Sequence, residues 1–355
     1  MPQIDRWLQT MVQQRGSDLH LSTGRPPLLR LHGELKAIER DVLAADRLRV
    51  LLGEITPAEG FASYQRAGDH DFAYAIPGVA RFRVNLFVQE NGPAAVLRVI
   101  PEKILSLEEL KAPAALARLA DLTQGLALVT GPTGSGKSTT MAAIIDAINT
   151  RHARHIVTIE DPLEFVHPRK KSIFSQREVG QHATSFASAL RAAVRQDADV
   201  LLVGEMRDRE TIGLALAAAE MGVLVFGTLH TNSAAKTIAR IVDAFPEEEQ
   251  QQARASLSES LAAVVAQILL PTADGKGRVA LHEILLRSPG LPNLIREGNT
   301  SMLANAIQAG KKDGMQTMDD ALFGAAKEGL ITPEEAYDVA LDKKRFHPLL
   351  PQPEQ

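Results

Sequence analysis

Cysteine is absent from the 355 residues, which excludes disulfides and thiolate metal sites. Aromatic residues make up only 4%, leaving few platforms for stacking bases, and the net charge of −4 supplies no excess of cations for a phosphate backbone. Composition therefore gives a nucleic-acid motor no support, and no nucleic-acid partner is expected. Long apolar runs are also missing. The longest, Leu261–Leu270, is interrupted by Gln267 and falls far short of the roughly 20 residues a membrane span requires. Asp5 and Arg6 break the N-terminus where a signal peptide would carry its apolar core, so none is expected. What is left, 45% apolar and 23% charged, is the composition of an ordinary globular protein, long enough for two domains or three small ones. The expected location is the cytoplasm, with any membrane attachment arising through a partner.

Chemistry concentrates in Gly131, Pro132, Thr133, Gly134, Ser135, Gly136, Lys137 and Ser138, followed by Thr139. The stretch matches G-x-x-x-x-G-K-[ST]. It follows the apolar run Leu126–Val129 and precedes Thr139–Ile148, which has helical spacing. Strand, glycine-rich loop and helix in that order form a phosphate cradle. The glycines let phosphate oxygens meet backbone N–H groups, and the helix N-terminus adds positive dipole charge. Lys137 can reach β- and γ-phosphates, and Ser138 can ligate Mg²⁺.

Around this loop the sequence reads as alternating strands and helices. The strands are Leu126–Thr130, His155–Ile159, Val200–Val203, Val223–Thr228 and Arg278–Leu286. The helices are near Thr139–Ile148, Ser185–Arg195, Thr211–Met221 and Glu247–Ile268. That alternation predicts a mostly parallel α/β sheet with helices on both faces. Before it, Ile4–Arg15 has helical spacing. Leu28–Leu31 and Leu35–Ile38 read as a hairpin around His32, Gly33 and Glu34. Phe82, Val84 and Leu86 then alternate with Arg81, Arg83 and Asn85, and Ala94–Ile100 carries Arg98. After Pro289 four helical stretches follow. The expected division is a small α+β domain over 1–100, a linker over 101–115, a nucleotide core over 116–288 and a helical region over 289–355.

Two acidic clusters sit at predicted strand ends, where open α/β sheets place their ligands. One is Glu160–Glu164. The other is Glu205, which follows Val200–Val203 as a Walker B acid follows its strand. Glu205 could bind Mg²⁺ through water, polarise the attacking water, or do both. The alternative for each cluster is a solvated loop. His230, with Thr228 and Thr231, gives another strand a polar end suited either to sensing a γ-phosphate or to a structural hydrogen bond. Arg81, Arg83 and Arg98 read as a solvated strand face, or as arginines supplied in trans to a transferring phosphoryl group. Arg191 and Arg195 are a weaker interface candidate.

Taken together, GSDLHL at Gly16–Leu21, RFRVN at Arg81–Asn85, the phosphate loop, TIEDPLEF at Thr158–Phe165, VGEMRD at Val203–Asp208, VFGTLHT at Val225–Thr231, AAKT at Ala234–Thr237, LSESL at Leu257–Leu261 and NLIRE at Asn293–Glu297 resemble the secretion and pilus ATPase superfamily. Within it the chain resembles the type IV pilus retraction ATPases, the PilT group, over about residues 4–340. The resemblance implies a RecA-like P-loop NTPase core, a PAS-like N-terminal domain and a helical C-terminal extension. It further implies ATP and Mg²⁺ as ligands, a homohexamer, and a site at the inner membrane against a pilus platform protein, alongside a paralogous pilus ATPase. It carries the water-activating acid to Glu164, magnesium to Glu205, the histidine box to His230 and the trans arginines to Arg81, Arg83 and Arg98. The residues themselves leave open which glutamate does which.

Three departures stand out. Met221-Gly222-Val223 replaces the group's Thr-Gly-His, and Ala198 replaces a proline. Leu291-Pro292 replaces Ile-Arg before NLIRE, where a proline is expected to shorten the helix. An assembly or type II secretion ATPase usually carries a longer N-terminal region and a tetracysteine zinc site, which ranks that reading below retraction. A nucleotide-gated accessory subunit with little turnover is disfavoured by the acids at Glu164 and Glu205.

Overall fold

The computed structural model describes residues 2–31, 33–100 and 103–350. His32 of the expected hairpin turn and the last five residues lie outside them. The chain divides into two compact units, Met1–Lys103 with Pro162–Val166, and Ile104–Asp161 with His167–Gln355.

The first unit is a six-stranded antiparallel sheet with three helices. Its strands are β1 (Asp18–Ser22), β2 (Leu28–Leu31), β3 (Glu34–Ala37), β4 (Asp69–Ile76), β5 (Ala80–Gln89) and β6 (Gly92–Ile100), in the order β3-β2-β1-β6-β5-β4. Helix α1 (Gln3–Gln13) buries Ile4, Trp7, Leu8 and Met11, the face its spacing predicts. Helices α2 (Ala45–Ile55) and α3 (Ala58–Ala67) complete the layer. On β5, Phe82, Val84 and Leu86 are fully buried while Arg83 is exposed, as period-two alternation requires. Some polar groups that enter this interior are partnered, as where the Tyr74 hydroxyl donates to Asp5 at 2.7 Å.

The second unit is a seven-stranded sheet covered on both faces. After α4 (Ala114–Leu119), its strands are β7 (Gly125–Thr130), β8 (His155–Glu160), β9 (Ile173–Glu178), β10 (Val200–Val203), β11 (Leu224–Leu229), β12 (Leu261–Pro271) and β13 (Arg278–Leu286). They lie in the order β13-β12-β7-β11-β10-β8-β9. Every neighbouring pair is parallel except β12–β13. The helices are α5 (Lys137–Arg151), α6 (Phe186–Ala193), α7 (Arg209–Glu220), α8 (Ala234–Asp243) and α9 (Glu247–Ser260), then α10 (Leu291–Arg296), α11 (Leu303–Ala309), α12 (Met318–Lys327), α13 (Pro333–Val339) and α14 (Lys343–Phe346). Alternate residues of one strand enter different cores. Leu126 and Leu128 pack with α7 and α8, whereas Ala127 and Val129 pack with α5. Strands buried on both faces must be apolar throughout, which is why β7, β10 and β11 read as unbroken runs.

Three sequence expectations change. The predicted helix Glu247–Ile268 ends at Ser260, and the apolar residues beyond it form β12, paired with β7 and β13. The Ser258 and Ser260 hydroxyls bond back to Ala255 and Ser256 carbonyls in the last turn of α9. Val264 and Val265 then enter opposite cores, the signature of a central strand rather than of an amphipathic helix. Residues 104–113, expected as linker, belong to the second unit, with Leu107 buried in its core. The C-terminal helices also group with this unit: Met318, Leu322 and Phe346 pack around Leu281 of β13. Pro292 sits in the first turn of α10, where its missing N–H has no helical partner to lose, and the helix starts one residue before it.

Candidate nucleotide site

The parallel strands of this sheet end on one edge, where the phosphate loop, Glu205 and His230 follow β7, β10 and β11. At the end of β7 the loop turns through Gly131 (φ 148°), Gly134 (φ 81°) and Gly136 (φ 83°), and α5 begins at Lys137. A β-carbon on Gly131 would stand 2.2 Å from the Gln267 carbonyl oxygen and 2.6 Å from Ser135 Oγ, so only glycine fits. The Lys137 ammonium folds into the loop and donates to the carbonyls of Gly131 at 2.7 Å and Pro132 at 3.0 Å. The Ser135 hydroxyl is buried without a hydrogen-bond partner. A 15-residue helix pointing its N-terminus at a glycine loop, a lysine within that loop and an unsatisfied hydroxyl form a donor set suited to phosphate.

The next strand ends carry the acid and the histidine. The Thr228 hydroxyl donates to the Gly204 carbonyl and ties the end of β11 to that of β10. Beyond this tie, His230 Nε2 lies 2.9 Å from Glu205 Oε1, and an Arg207 guanidinium N–H donates to Glu205 Oε2 at 2.5 Å. Partial burial pushes the Glu205 carboxyl up. Hydrogen bonds and charge from Arg207 and His230 outweigh that, so its pKa falls below the usual glutamate value. Glu205 is thus a fixed, ionised carboxylate. Arg207 was not singled out from sequence, although it stands two residues from the acid.

Further polar residues stand behind these ends. Thr237 of α8 is bonded to Thr231 at 2.7 Å and to the Ser233 carbonyl at 2.7 Å. Glu283 of β13 accepts from the Ala234 N–H at 2.8 Å at the start of α8, and burial raises its pKa. Gln267 of β12 touches the phosphate loop directly. A polar residue inside an otherwise apolar run was its only sequence signal.

Other predicted residues lie elsewhere. Pro162–Val166, which contains Glu164, groups with the first unit. Arg81, Arg83 and Arg98 are all on that unit's sheet. Arg83 and Arg98 stand directly opposite each other on β5 and β6. Arg98 donates to Asp18 of β1 at 2.7 Å, and Arg83 lies 3.9 Å from Asp71. Burial pushes the Asp18 carboxyl up, but hydrogen bonds from Ser17 and Arg98 bring its pKa below the usual value. Arg191 is ion-paired with Glu210.

The model of the type II/IV secretion system protein family matches residues 1–284. The chain is 53% identical over 310 residues to a twitching motility protein of Neisseria gonorrhoeae, covering 87% of this chain and 83% of that one. It is 49% identical over 343 residues to the type IV pilus retraction ATPase PilT of Pseudomonas aeruginosa, covering 97% and 99%. A crystal structure of the pilus retraction motor PilT with bound ADP superposes with a TM-score of 0.89 at 44% identity, covering 96% of this chain and 97% of that one.

Proposed function

The chain belongs to the type II/IV secretion system protein family, and from that premise we propose that it is the motor that withdraws a type IV pilus. It is an ATPase. Its likeness to a pilus retraction ATPase along nearly the whole chain carries this reading, because the phosphate loop alone is shared by many motors.

In this reading the backbone of Gly131–Thr139 cradles the phosphates of ATP, and Lys137 trades its loop carbonyls for β- and γ-phosphate oxygens. Among the described residues no three His, Asp or Glu side chains gather into a metal cage. That suits a Mg²⁺ held mostly by phosphate and water, with the Ser138 hydroxyl and, partly through water, Glu205 as the protein's share. Bound there, the ion would neutralise phosphate charge and orient its oxygens. Glu205, aligned by His230 and Arg207, and Glu164 are the two acids available to orient the attacking water. His230 would register the γ-phosphate through its contact with Glu205. Arg81, Arg83 and Arg98 would complete the site from a neighbouring copy, making the working form a homohexamer. Its cargo would be an inner-membrane pilus platform protein, reached from the cytoplasmic face and shared with a paralogous pilus ATPase.

Purified protein should hydrolyse ATP, and Lys137→Ala should not. Full turnover in that variant would remove the site from Lys137. Deleting the gene should leave cells with excess surface pili that do not retract. Bald cells would point instead to assembly or secretion.

A further inference from the structure

Gln267 is 1% exposed, and both ends of its amide are hydrogen-bonded. Its Nε2 donates to the Ser135 carbonyl in the phosphate loop at 2.6 Å. Its Oε1 accepts from the Thr140 hydroxyl of α5 at 2.8 Å and lies 3.1 Å from His282 Nε2. Gln267 and His282 are direct partners in the β12–β13 ladder, so the register itself brings them together. Ala266 is the last β12 residue paired with β7, opposite Thr130. The next residue of β12 is therefore Gln267, level with the start of the loop.

Only one orientation of this amide satisfies all three neighbours. With Nε2 on the Ser135 carbonyl, Oε1 receives protons from Thr140 and His282. Reversed, Oε1 would face a carbonyl oxygen and the lone pairs would repel. His282 must then carry its proton on Nε2. Burial alone pushes its pKa down to about 4, so the ring is neutral at pH 7 and that single proton is fixed on the side of Gln267. The carbonyl and N–H of a trans peptide point in opposite directions. Anchoring Ser135 O against β12 therefore aims the Gly136 N–H away from β12, as a donor for phosphate. Fit leaves no slack: a β-carbon on Gly136 would stand 3.0 Å from Gln267 Nε2.

We propose that Gln267 is a positioning residue for nucleotide phosphate, setting the Ser135–Gly136 peptide, with His282 and Thr140 fixing which way its amide points. This rests on the reading of Gly131–Ser138 as the phosphate site. Gln267 would not touch the nucleotide; it would act through the loop.

The test uses the full-length protein and ADP as probe, with ATP turnover measured alongside. Gln267→Met keeps the shape and removes the amide. It should raise the ADP Kd and the ATP KM roughly tenfold, the scale of one buried hydrogen bond lost, with a smaller fall in kcat. His282→Leu should weaken ADP binding similarly, because the amide loses the donor that orients it. His282→Gln, which restores a donor, should recover most of the affinity, whereas a packing role would be no better served by glutamine than by leucine. Thr140→Val removes the second donor and should show a smaller rise, which keeps the test decisive if Gln267→Met does not fold. ADP affinity within twofold of wild type in Gln267→Met and His282→Leu, while Lys137→Ala loses binding, would overturn the positioning role alone. Wild-type ADP binding by Lys137→Ala would overturn the phosphate-site reading beneath it.

Discussion

His167 and His282 are imidazoles that the fold keeps neutral, each with its pKa depressed by burial to about 4. At His167, Asp146 pulls the value back up and Lys170 pushes it down, and both are weaker than burial. The unfolded chain takes up these protons near the ordinary value of 6.5, before the folded one does. Stability should therefore be complete above about pH 6.5 and fall as pH drops toward 4. Urea midpoints at pH 7 and pH 5 should differ in that sense, and a His167→Asn, His282→Asn double variant should show a smaller difference. A flat profile in the wild type would contradict the burial argument. At this scale legibility depended on how local a residue's task is. Lys137 and Ser138 are legible because their chemistry is written in eight consecutive residues. Glu205 and His230 are legible as polar ends on apolar strands. Gln267 is not, because its partners are Ser135, 132 residues away, and His282, across a ladder that no single sequence displays.

Strand β12 is the element most easily mistaken. An apolar run of this length suits a buried helix as well as a central strand, and periodicity cannot separate them when both faces are covered. The two assignments differ in what adjacent residues do. In β12, Val264 and Val265 enter different cores, so Val264→Ala and Val265→Ala should each cost about 2 kcal/mol by chemical denaturation. A near-zero cost at either position would argue against a strand buried on both sides. Helix α8 carries its signal in consecutive residues. Ser233 accepts from the Lys236 N–H as its cap, and Thr237, Ile238, Ile241 and Val242 follow at helical spacing, all buried. Strand β9 had no such signal, since Ile173–Glu178 is mostly polar and half-buried at the sheet edge.

At the scale of the whole molecule, the reading turns on arginines that lie outside the unit holding the phosphate loop. If Arg83 serves a neighbouring copy, then Lys137→Ala and Arg83→Ala, each inactive or weak alone, should recover turnover when mixed. Some interfaces would then join an intact loop to an intact arginine. Steady-state ATP hydrolysis across mixing ratios measures this, and the absence of any recovery would place the arginine's action within its own chain. The change from period two to strand–helix alternation falls near the division at 103–104. No composition change marks the short excursion of Pro162–Val166 into the first unit.

That excursion means the backbone passes between the two units three times, at 103–104, at 161–162 and at 166–167. One crossing would make a hinge that could be cut without injury to either part. Three leave no single point at which a cut separates the two. A chain truncated at residue 104 would retain Leu163 and Phe165, now 5% and 8% exposed, with the unit they belong to removed. The nucleotide-binding part is therefore not a detachable engine. The stretch bearing Glu164 is joined at both ends to one unit and groups with the other.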